Sequence, residues 1–466
     1  MTDRLSSLDA SFYYMEDAST PMHVGTLAVF DGDDGFDLDR LSELIARRIT
    51  RVPRYRQKVK PVPARLANPV WVDDPAFDVG KHVRRVTLPR PGDDDQLREL
   101  VGRVMSRSLD RSRPLWEMYL VEGLASNRFA ILSKTHQAVV DGVHTVEIGQ
   151  VILDEEPRPP EVAPEPWRPS AEPSAVDLVQ DAVSEALRRP SLVLENVRDA
   201  AGDVRSVADR AMSAASGVLA FASTAVRPAP ESPLNGTSGG SRRYATASAG
   251  LADYRAVRDT QEPRQESTVN DVVLSVVAGA LREWLLTRGE PVPPHATVRA
   301  LVPVSVRDDE QPLAVGNTVS TYLVDLPVGE SNPVMRLHQV TYAMRAHKET
   351  GRAVGASTLI ALSGFAPTTL HSLAARAASG LSRRLFNLVV TNVPGPQTPL
   401  YVNGSRMLEV YPVVPLARGQ AVSIGLTSYD GGVYFGINAD ADLLPDVDLL
   451  ADCLEDALAD LVEAVT

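Results

Sequence analysis

The chain contains 466 residues, which is too long for one ordinary hydrophobic core, so its length predicts two domains. Apolar residues make up 44%, the share usual in globular proteins. The net charge of -13 argues against nucleic acid as a main partner and against docking on anionic lipid through bulk charge, although a local basic patch would still permit such docking. The one cysteine, Cys453, excludes a disulfide framework and fits a reducing cytosol.

No targeting segment or membrane-spanning segment is predicted. Residues 1–10 (MTDRLSSLDA) lack the apolar core of a signal peptide, and no run of about 18 uninterrupted apolar residues occurs in the sequence. We therefore expect a cytoplasmic protein. Peripheral contact with the inner membrane or with a lipid droplet is left open by the sequence.

The first predicted domain, residues 1–154, alternates between strand-like and helix-like patterns. Runs of β-branched and apolar residues predict strands, whereas apolar residues three or four positions apart predict helices. The predicted strands are 23–30, 116–124 and 128–134, and the predicted helices are 36–51, 96–105 and 142–153.

Residues 155–242 are predicted to be an interdomain linker that carries helices. Two stretches, 155–173 and 228–241, are rich in proline and other turn-forming or polar residues and are not expected to form regular structure. Between them, residues 176–226 have helical spacing that Pro190 interrupts. One or two helices are therefore expected here. They would serve as a lid or membrane-facing surface or, more commonly for amphipathic helices, pack against the domains.

The second predicted domain, residues 243–466, begins with a strong helix at 268–286, for which Ser267 or Thr268 is the expected N-cap. An amphipathic helix at 446–465 closes the chain. The predicted strands are 297–306, 319–326, 388–391, 408–414, 421–429 and 432–438, with Asp430-Gly431 at the tip of the last hairpin. Strands and helices in both halves predict an α/β (α+β) fold class.

One stretch offers chemistry, residues 132–142 (LSKTHQAVVDG), between a predicted strand and a predicted helix. It holds His136, Asp141 and Gly142. Histidine can take a proton from a hydroxyl near neutral pH, a carboxylate can orient a ring or a loop, and glycine allows a sharp turn. Residue types alone make this weak evidence, because a lone histidine is more often a hydrogen-bonded structural residue.

The same stretch resembles the His-His-x-x-x-Asp-Gly hallmark of the bacterial wax ester synthase/diacylglycerol acyltransferase family. Counted back from Asp141 and Gly142, the first histidine of the hallmark falls on His136 and the second falls on Gln137. In the family the second histidine, four residues before the aspartate, is the general base. The sequence therefore matches the hallmark except at the base.

Further motifs of this family follow in the same order between residues 7 and 396. They are 7–12 (SLDASF), 20–25 (TPMHVG), 113–117 (RPLWE), 268–274 (TVNDVVL), 301–306 (LVPVSV), Gly316-Asn317 and 391–396 (TNVPGP). Each is short, but their shared order makes chance an implausible explanation. On these residues the chain is identified as similar to the family along nearly its whole length.

Three of these motifs contribute residues that either bind substrate or brace the scaffold. The candidates are Pro114, Leu115, Trp116, Asn270, Asp271, Asn392, Pro394 and Gly395. The first motif would brace the start of a strand leading to the hallmark, and the second stands in the first turn of a helix, which it can cap. The prolines of the third restrict the backbone around its glycine and would fix a loop between domains. These arguments favour a scaffolding role for all three.

The resemblance implies two chloramphenicol acetyltransferase-like domains joined by the linker. It implies transfer of an acyl group from acyl-CoA, a co-substrate, to diacylglycerol or a long-chain alcohol, with no metal and no redox cofactor. It also implies that Asp141 is structural and pairs with an arginine that the sequence does not identify. The alternative assignment is to the related condensation domains, which join acyl or aminoacyl groups carried on a phosphopantetheine protein. The Pro-Leu-Trp and Asn-Val-Pro-Gly-Pro elements favour the lipid branch.

Glutamine at position 137 changes the implied mechanism, because an amide neither accepts a proton near pH 7 nor carries one away. In one reading the chain is a slow acyltransferase. Gln137 then hydrogen-bonds the acceptor or the thioester oxygen, and His136 or a water acts as base. In a second reading the chain binds acyl-CoA or neutral lipid without catalysis, and in a third the glutamine was engineered in place of histidine. His144, three residues after Asp141, is a further candidate for which a surface or capping role is favoured.

Overall fold

The structure is a computed structural model. It describes residues 3–32, 37–49, 51–140, 148–158, 167–188, 228–260, 267–305, 319–349, 354–355 and 385–465. The predicted site residues Asp141 and Gly142 lie outside these ranges, as do His144, Pro190 and Gly316-Asn317. The helical stretch predicted at 176–226 is described only as far as residue 188.

Strands are numbered here in chain order. They are β1 (His23–Asp31), β2 (Gln57–Lys60), β3 (Val70–Asp73), β4 (Val83–Thr87), β5 (Trp116–Leu124), β6 (Arg128–His136), β7 (Arg242–Gly250), β8 (Val298–Ser305), β9 (Val319–Leu326), β10 (Val354–Gly355), β11 (Leu388–Pro394), β12 (Tyr401–Val402), β13 (Ser405–Val413), β14 (Val422–Tyr429) and β15 (Gly432–Asp440).

The α-helices of the described residues are numbered in the same way. They are α1 (Ser7–Met15), α2 (Leu38–Ile49), α3 (Asp94–Met105), α4 (Gln137–Val140), α5 (Ile148–Ile152), α6 (Ala175–Arg188), α7 (Leu251–Asp259), α8 (Val269–Thr287), α9 (Pro333–Glu349) and α10 (Val447–Val465).

The strands predicted from the sequence are confirmed to within a few residues, as are the helices that are fully described. The elements of nine or more residues that were not predicted are α1, β7, α7 and α9. The sequence of β7 (RRYATASAG) consists mostly of small and charged residues, which are poor indicators of a strand. It is a strand because it pairs with β15 along its whole length, a tertiary contact that local pattern does not reveal.

Two sheets form the framework. The first has the strand order β12-β13-β1-β6-β5-β4, and the second has the order β10-β9-β8-β11-β14-β15-β7. Most neighbours are antiparallel, but β4 is parallel to β5, and β11 is parallel to both β8 and β14. A separate two-stranded sheet joins β2 to β3.

Both faces of the first sheet are covered. Along β1, Leu27 and Val29 pack into a core with α3, while Ala28 and Phe30 point to the opposite face and pack with α2. This alternation follows from the two-residue period of a strand. The second sheet shares a separate core with α8, α9 and α10.

One strand crosses from the second half of the chain into the first sheet. β13 belongs by sequence to the predicted domain 243–466, yet it pairs antiparallel with β1, with Thr26 opposite Pro412. The last half of the chain therefore completes the sheet that carries His136. The domain boundaries at 154 and 242 stay a prediction.

The described part of the predicted linker contains α6, whose buried Leu178 and Ala182 pack with Val62, Val70 and Val72 around β3. One face of α6 therefore packs against the first predicted domain. Among the described residues, no helix combines the length and apolarity that crossing a bilayer requires.

Candidate active site

The junction between β6 and α4 places the hallmark residues. His136 is the last residue of β6 and stands opposite His23, the first residue of β1. Its backbone N–H donates to the carbonyl of Leu115 at 3.0 Å, and the N–H of Gln137 donates to the carbonyl of Met22 at 2.8 Å. The strand therefore ends in a position held from both sides, and α4 starts at Gln137.

The side chain of His136 faces the protein interior with both ring nitrogens. The residue is 0% exposed, and its Nδ1 accepts a hydrogen bond of 3.0 Å from the N–H of Ala138. Its Nε2 lies 3.6 Å from Oε2 of Glu16, beyond hydrogen-bond length but within ionic contact. In this arrangement neither nitrogen is presented to a substrate.

Glu16 is a buried carboxylate that the sequence analysis missed. It directly follows α1, its side chain is 3% exposed, and it contacts two imidazoles and a guanidinium. Oε1 lies 2.7 Å from Nε2 of His23, although the ring N–H is not aligned for a linear hydrogen bond. Oε2 accepts from Nη2 of Arg111 at 2.6 Å. A glutamate 120 positions before His136 in the sequence gives no local signal that the two meet.

The charges of this cluster are set by burial and by its contacts. Burial by itself raises the pKa of the Glu16 carboxyl, but the imidazoles of His136 and His23 beside the carboxylate outweigh it and hold that pKa well below its usual range. Burial lowers the pKa of His23 to about 4 despite the neighbouring carboxylate. Glu16 is therefore ionised and His23 neutral at pH 7.

Gln137, in contrast, begins α4 half-buried. A glutamine side chain offers an N–H₂ donor and a carbonyl acceptor but no group that titrates. At this position it can hydrogen-bond an oxygen of a substrate, but it cannot remove a proton from one.

The Pro-Leu-Trp motif supports this junction. Trp116 begins β5, is 1% exposed, and donates from its ring nitrogen to the carbonyl of Tyr55 at 2.8 Å. The ring of His82 stacks on the Trp116 ring, with 4.6 Å between centroids. Leu115 supplies the carbonyl that binds His136. These contacts are those of a scaffold.

The two C-terminal motifs meet each other. The side-chain amide of Asn392 in β11 donates to Oδ1 of Asn270 at 3.2 Å, so the start of α8 is tied to the neighbouring strand. Asp271 instead completes a capping box with Thr268, in which each side chain accepts from the other's backbone N–H. Thr268 is therefore the N-cap, one of the two residues expected from the sequence.

The loop that begins with Pro394 is fixed to β14. The N–H of Gly395 donates to the carbonyl of Ser428 at 3.0 Å, and a Cβ at residue 395 would lie 2.5 Å from that carbonyl oxygen. Only glycine allows so close an approach without a shift. Within the described ranges, no group of three or more histidine, cysteine, aspartate or glutamate side chains could hold a metal ion.

Two family models together cover most of the chain. The wax ester synthase/diacylglycerol acyltransferase catalytic domain matches residues 5–273, and the WS/DGAT C-terminal domain matches residues 315–462. The probable diacylglycerol O-acyltransferase tgs1 of Mycobacterium tuberculosis is 36% identical over 462 residues, which are 99% of this chain and 96% of that protein. The probable diacylglycerol O-acyltransferase tgs3 of the same organism is 45% identical over 260 residues, which are 55% of this chain and 96% of that protein.

Solved structures agree on the fold. The wax ester synthase/diacylglycerol acyltransferase from Marinobacter aquaeolei VT8 superposes with a TM-score of 0.69 at 29% identity, covering 99% of each chain. The first condensation domain of the calcium-dependent antibiotic synthetase gives a TM-score of 0.55 at 15% identity over 100% of this chain and 96% of that one, a likeness of fold alone. The predicted α/β (α+β) fold class is thereby confirmed. The chain belongs to the wax ester synthase/diacylglycerol acyltransferase family and is an acyltransferase.

Proposed function

We propose that this chain transfers a long-chain acyl group from acyl-CoA to the hydroxyl of diacylglycerol, or of a long-chain alcohol, at a reduced rate. The hydroxyl oxygen attacks the thioester carbonyl carbon, the C–S bond breaks, and the hydroxyl proton ends on the CoA thiolate. The products are an ester and free CoA, and no metal or redox cofactor is needed. The names of the relatives, diacylglycerol O-acyltransferases, support this substrate class.

The reduced rate follows from the position of Gln137. It stands directly after His136, where the family hallmark has its general base. Its amide can donate a hydrogen bond to the oxyanion that forms on the thioester, but it cannot take the hydroxyl proton. Loss of a general base costs about 10²–10⁴ in rate, while catalysis by positioning remains.

His136 is a poor substitute for that base. Its Nδ1 is already the acceptor for the Ala138 N–H, and its Nε2 faces the Glu16 carboxylate inside the protein. We therefore propose that a water molecule takes the hydroxyl proton and passes it on to the CoA thiolate. Gln137 then orients either that water or the thioester.

The second candidate function is non-catalytic binding of acyl-CoA or of a neutral lipid. It is favoured by the same observation, since glutamine at position 137 removes the proton acceptor and leaves the surrounding scaffold of Leu115, Trp116 and His136 in place. The two candidates differ in one measurable property, which is turnover by the unaltered chain.

The experiment compares three purified proteins: the unaltered chain, Gln137→His and Gln137→Ala. Each receives palmitoyl-CoA with dioleoylglycerol or hexadecanol, and both free CoA and ester are followed. We expect slow turnover by the unaltered chain and an increase of about 10²–10⁴ in Gln137→His, because the base is restored in an intact site. Gln137→Ala should fall below the unaltered chain, since it loses the hydrogen bond as well.

Gln339→His is the matched control, because Gln339 is an exposed residue of α9. It should leave the rate unchanged. Saturable acyl-CoA binding without ester formation by the unaltered chain would establish the non-catalytic candidate. Absence of both binding and turnover, with Gln137→His equally inactive, would refute both candidates.

Location and lipid contact stay proposals. We propose that the chain is cytoplasmic and touches a membrane or lipid droplet from one side. Supporting this, α6 carries exposed apolar side chains: Val176 is 63% exposed and Val183 is 49% exposed, and Leu66 beside the helix is 56% exposed.

A further inference from the structure

We infer that Glu16 is a positioning residue for the acyl-transfer site. In this inference, Glu16 holds His136 in the tautomer with its proton on Nε2, so that the Nδ1 lone pair fixes the Ala138 amide and thereby the place of residue 137. The effect on rate rests on the proposed function, whereas the tautomer of His136 does not. Glu16 lies at the end of α1 and is not part of the hallmark motif.

The contact at Nδ1 shows where the proton of the His136 ring is not. The N–H of Ala138 points at Nδ1 of His136 from 3.0 Å, so Nδ1 must carry a lone pair and no proton. A neutral imidazole has one protonated nitrogen, and the proton must therefore be on Nε2. His136 acts at the start of α4 in the way that an N-cap side chain acts, by accepting a bond from a first-turn amide.

The contact at Nε2 favours a proton on that nitrogen. Oε2 of Glu16 lies 3.6 Å from Nε2 of His136, and both side chains are almost fully buried. The interaction of a carboxylate with a protonated ring nitrogen is attractive, whereas its interaction with a ring lone pair is repulsive. Low solvent exposure strengthens both interactions. Glu16 therefore favours the tautomer that Ala138 requires.

Other contacts hold Glu16 itself. Arg111 donates to Oε2 of Glu16 and also to the carbonyl of Tyr13, at 3.0 Å, while its guanidinium stacks 4.4 Å from the centre of the Tyr13 ring. These contacts keep the carboxylate pointed at the end of β6. The last residues of α1 are thereby tied to the start of α4.

The consequence for residue 137 is a backbone fixed at three successive amides. The N–H of His136 is bound to Leu115, that of Gln137 to Met22, and that of Ala138 to the His136 ring. Only the third bond depends on the tautomer of a side chain. If the proton of the ring moves from Nε2 to Nδ1, the N–H of Ala138 faces a second N–H group instead of a lone pair. The hydrogen bond is then lost, and the first turn of α4 must move.

The first test leaves Glu16 unaltered. The full-length chain is labelled with ring-¹⁵N histidine, and the His136 signals are assigned by their loss in His136→Gln. We expect an unprotonated, pyridine-type Nδ1 and a protonated Nε2 at pH 7.5. A protonated Nδ1 on His136 would overturn the inference.

The second test removes the carboxylate. Glu16→Met has a similar length but no acceptor, so the Nε2-H form of His136 should lose its preference and a Nδ1-H population should appear in the spectrum. In the Gln137→His background, which supplies a measurable rate, kcat should fall by up to about 100-fold with KM unchanged, because a shift of the first turn of α4 misplaces the group at residue 137. Glu16→Gln keeps an amide oxygen and should fall between the two.

Glu99→Met is the matched control, because Glu99 is exposed on α3 and pairs with Arg103 on the same helix surface. It should change neither the His136 signals nor kcat. Unchanged His136 signals in Glu16→Met would refute the inference. If Gln137→His shows no acyl transfer, the proposed function fails, while the two spectroscopic results still decide the role of Glu16.

Discussion

His23 lies in an environment that strongly opposes a positive charge. It is 1% exposed at the start of β1, and the charged groups around it are Glu16 and Lys134, with His136 opposite. Burial outweighs the attraction of the Glu16 carboxylate, so the pKa of His23 is about 4 in the folded protein. Folding therefore selects the neutral ring.

This selection predicts that the free energy of unfolding falls on acidification. The pKa of His23 is lower in the folded state, about 4, than in the unfolded state, about 6.5, so its contribution is complete above pH 6.5 and is lost as the pH falls towards 4. The expected loss from this group is about 3 kcal/mol across that window. In His23→Gln the fall between pH 7 and pH 4 should be smaller by that amount, measured by urea unfolding at each pH.

His295→Gln is the control for this prediction, because His295 is exposed in the loop before β8. It should leave the pH dependence as it is in the unaltered chain. If the free energy of unfolding of His23→Gln and of the unaltered chain falls equally with pH, protonation of His23 is not the cause of the loss of stability in acid. The carboxylate of Glu16, with its lowered pKa, adds a further loss of stability only below about pH 4.5.

At the scale of one element, α8 depends on its first turn. The Thr268 side chain accepts from the N–H of Asp271 at 3.3 Å, and the Asp271 side chain accepts from the N–H of Thr268 at 2.8 Å. Thr268→Ala removes one of these bonds and should destabilise the protein by about 1 kcal/mol. Thr268→Ser keeps the hydroxyl and should stay close to the unaltered chain. The midpoint of thermal unfolding, followed by circular dichroism, measures the difference. Equal midpoints for the two variants would mean that the capping bond contributes nothing.

Such elements could be predicted because their signals are local. Thr268 stands before a long apolar helix, and Asp430-Gly431 stands between two strands, where both residues have the positive φ angles that a tight hairpin favours. The partners of His136 could not be predicted in this way. Glu16 becomes its neighbour only because β1 pairs with β6 and α1 packs against α4, contacts between segments far apart in the sequence.

At the scale of the whole molecule, the two sheets are joined where β13 passes over β15. Pro412 pairs with Thr26 in the first sheet, and its carbonyl accepts from the hydroxyl of Tyr244 of β7, in the second sheet, at 3.0 Å. The motif order along the chain indicated the family and its fold, but nothing in the pattern of 405–413 indicated that this strand would complete the first sheet. Its alternation of buried residues suits either sheet equally well.

The crossing of β13 over β15 requires a residue without a side chain at position 436. A Cβ built on Gly436 would lie 1.8 Å from the carbonyl oxygen of Pro412 and 2.3 Å from the Tyr244 hydroxyl oxygen. Because the nearest atom belongs to the backbone of a paired strand, no rotamer change can relieve the clash. Gly436→Ala should therefore separate the strands and destabilise the protein by about 3 kcal/mol.

Gly149→Ala is the matched control, since a Cβ at Gly149 in α5 meets nothing within 4 Å. It should leave the thermal midpoint unchanged or slightly raised, because alanine favours a helix over glycine. A midpoint for Gly436→Ala equal to that of Gly149→Ala would show that β13 can shift without cost. If the midpoint of Gly436→Ala is low, the crossing is rigid. The first sheet, with His136 at the end of β6, then depends for its stability on a strand from the other half of the chain.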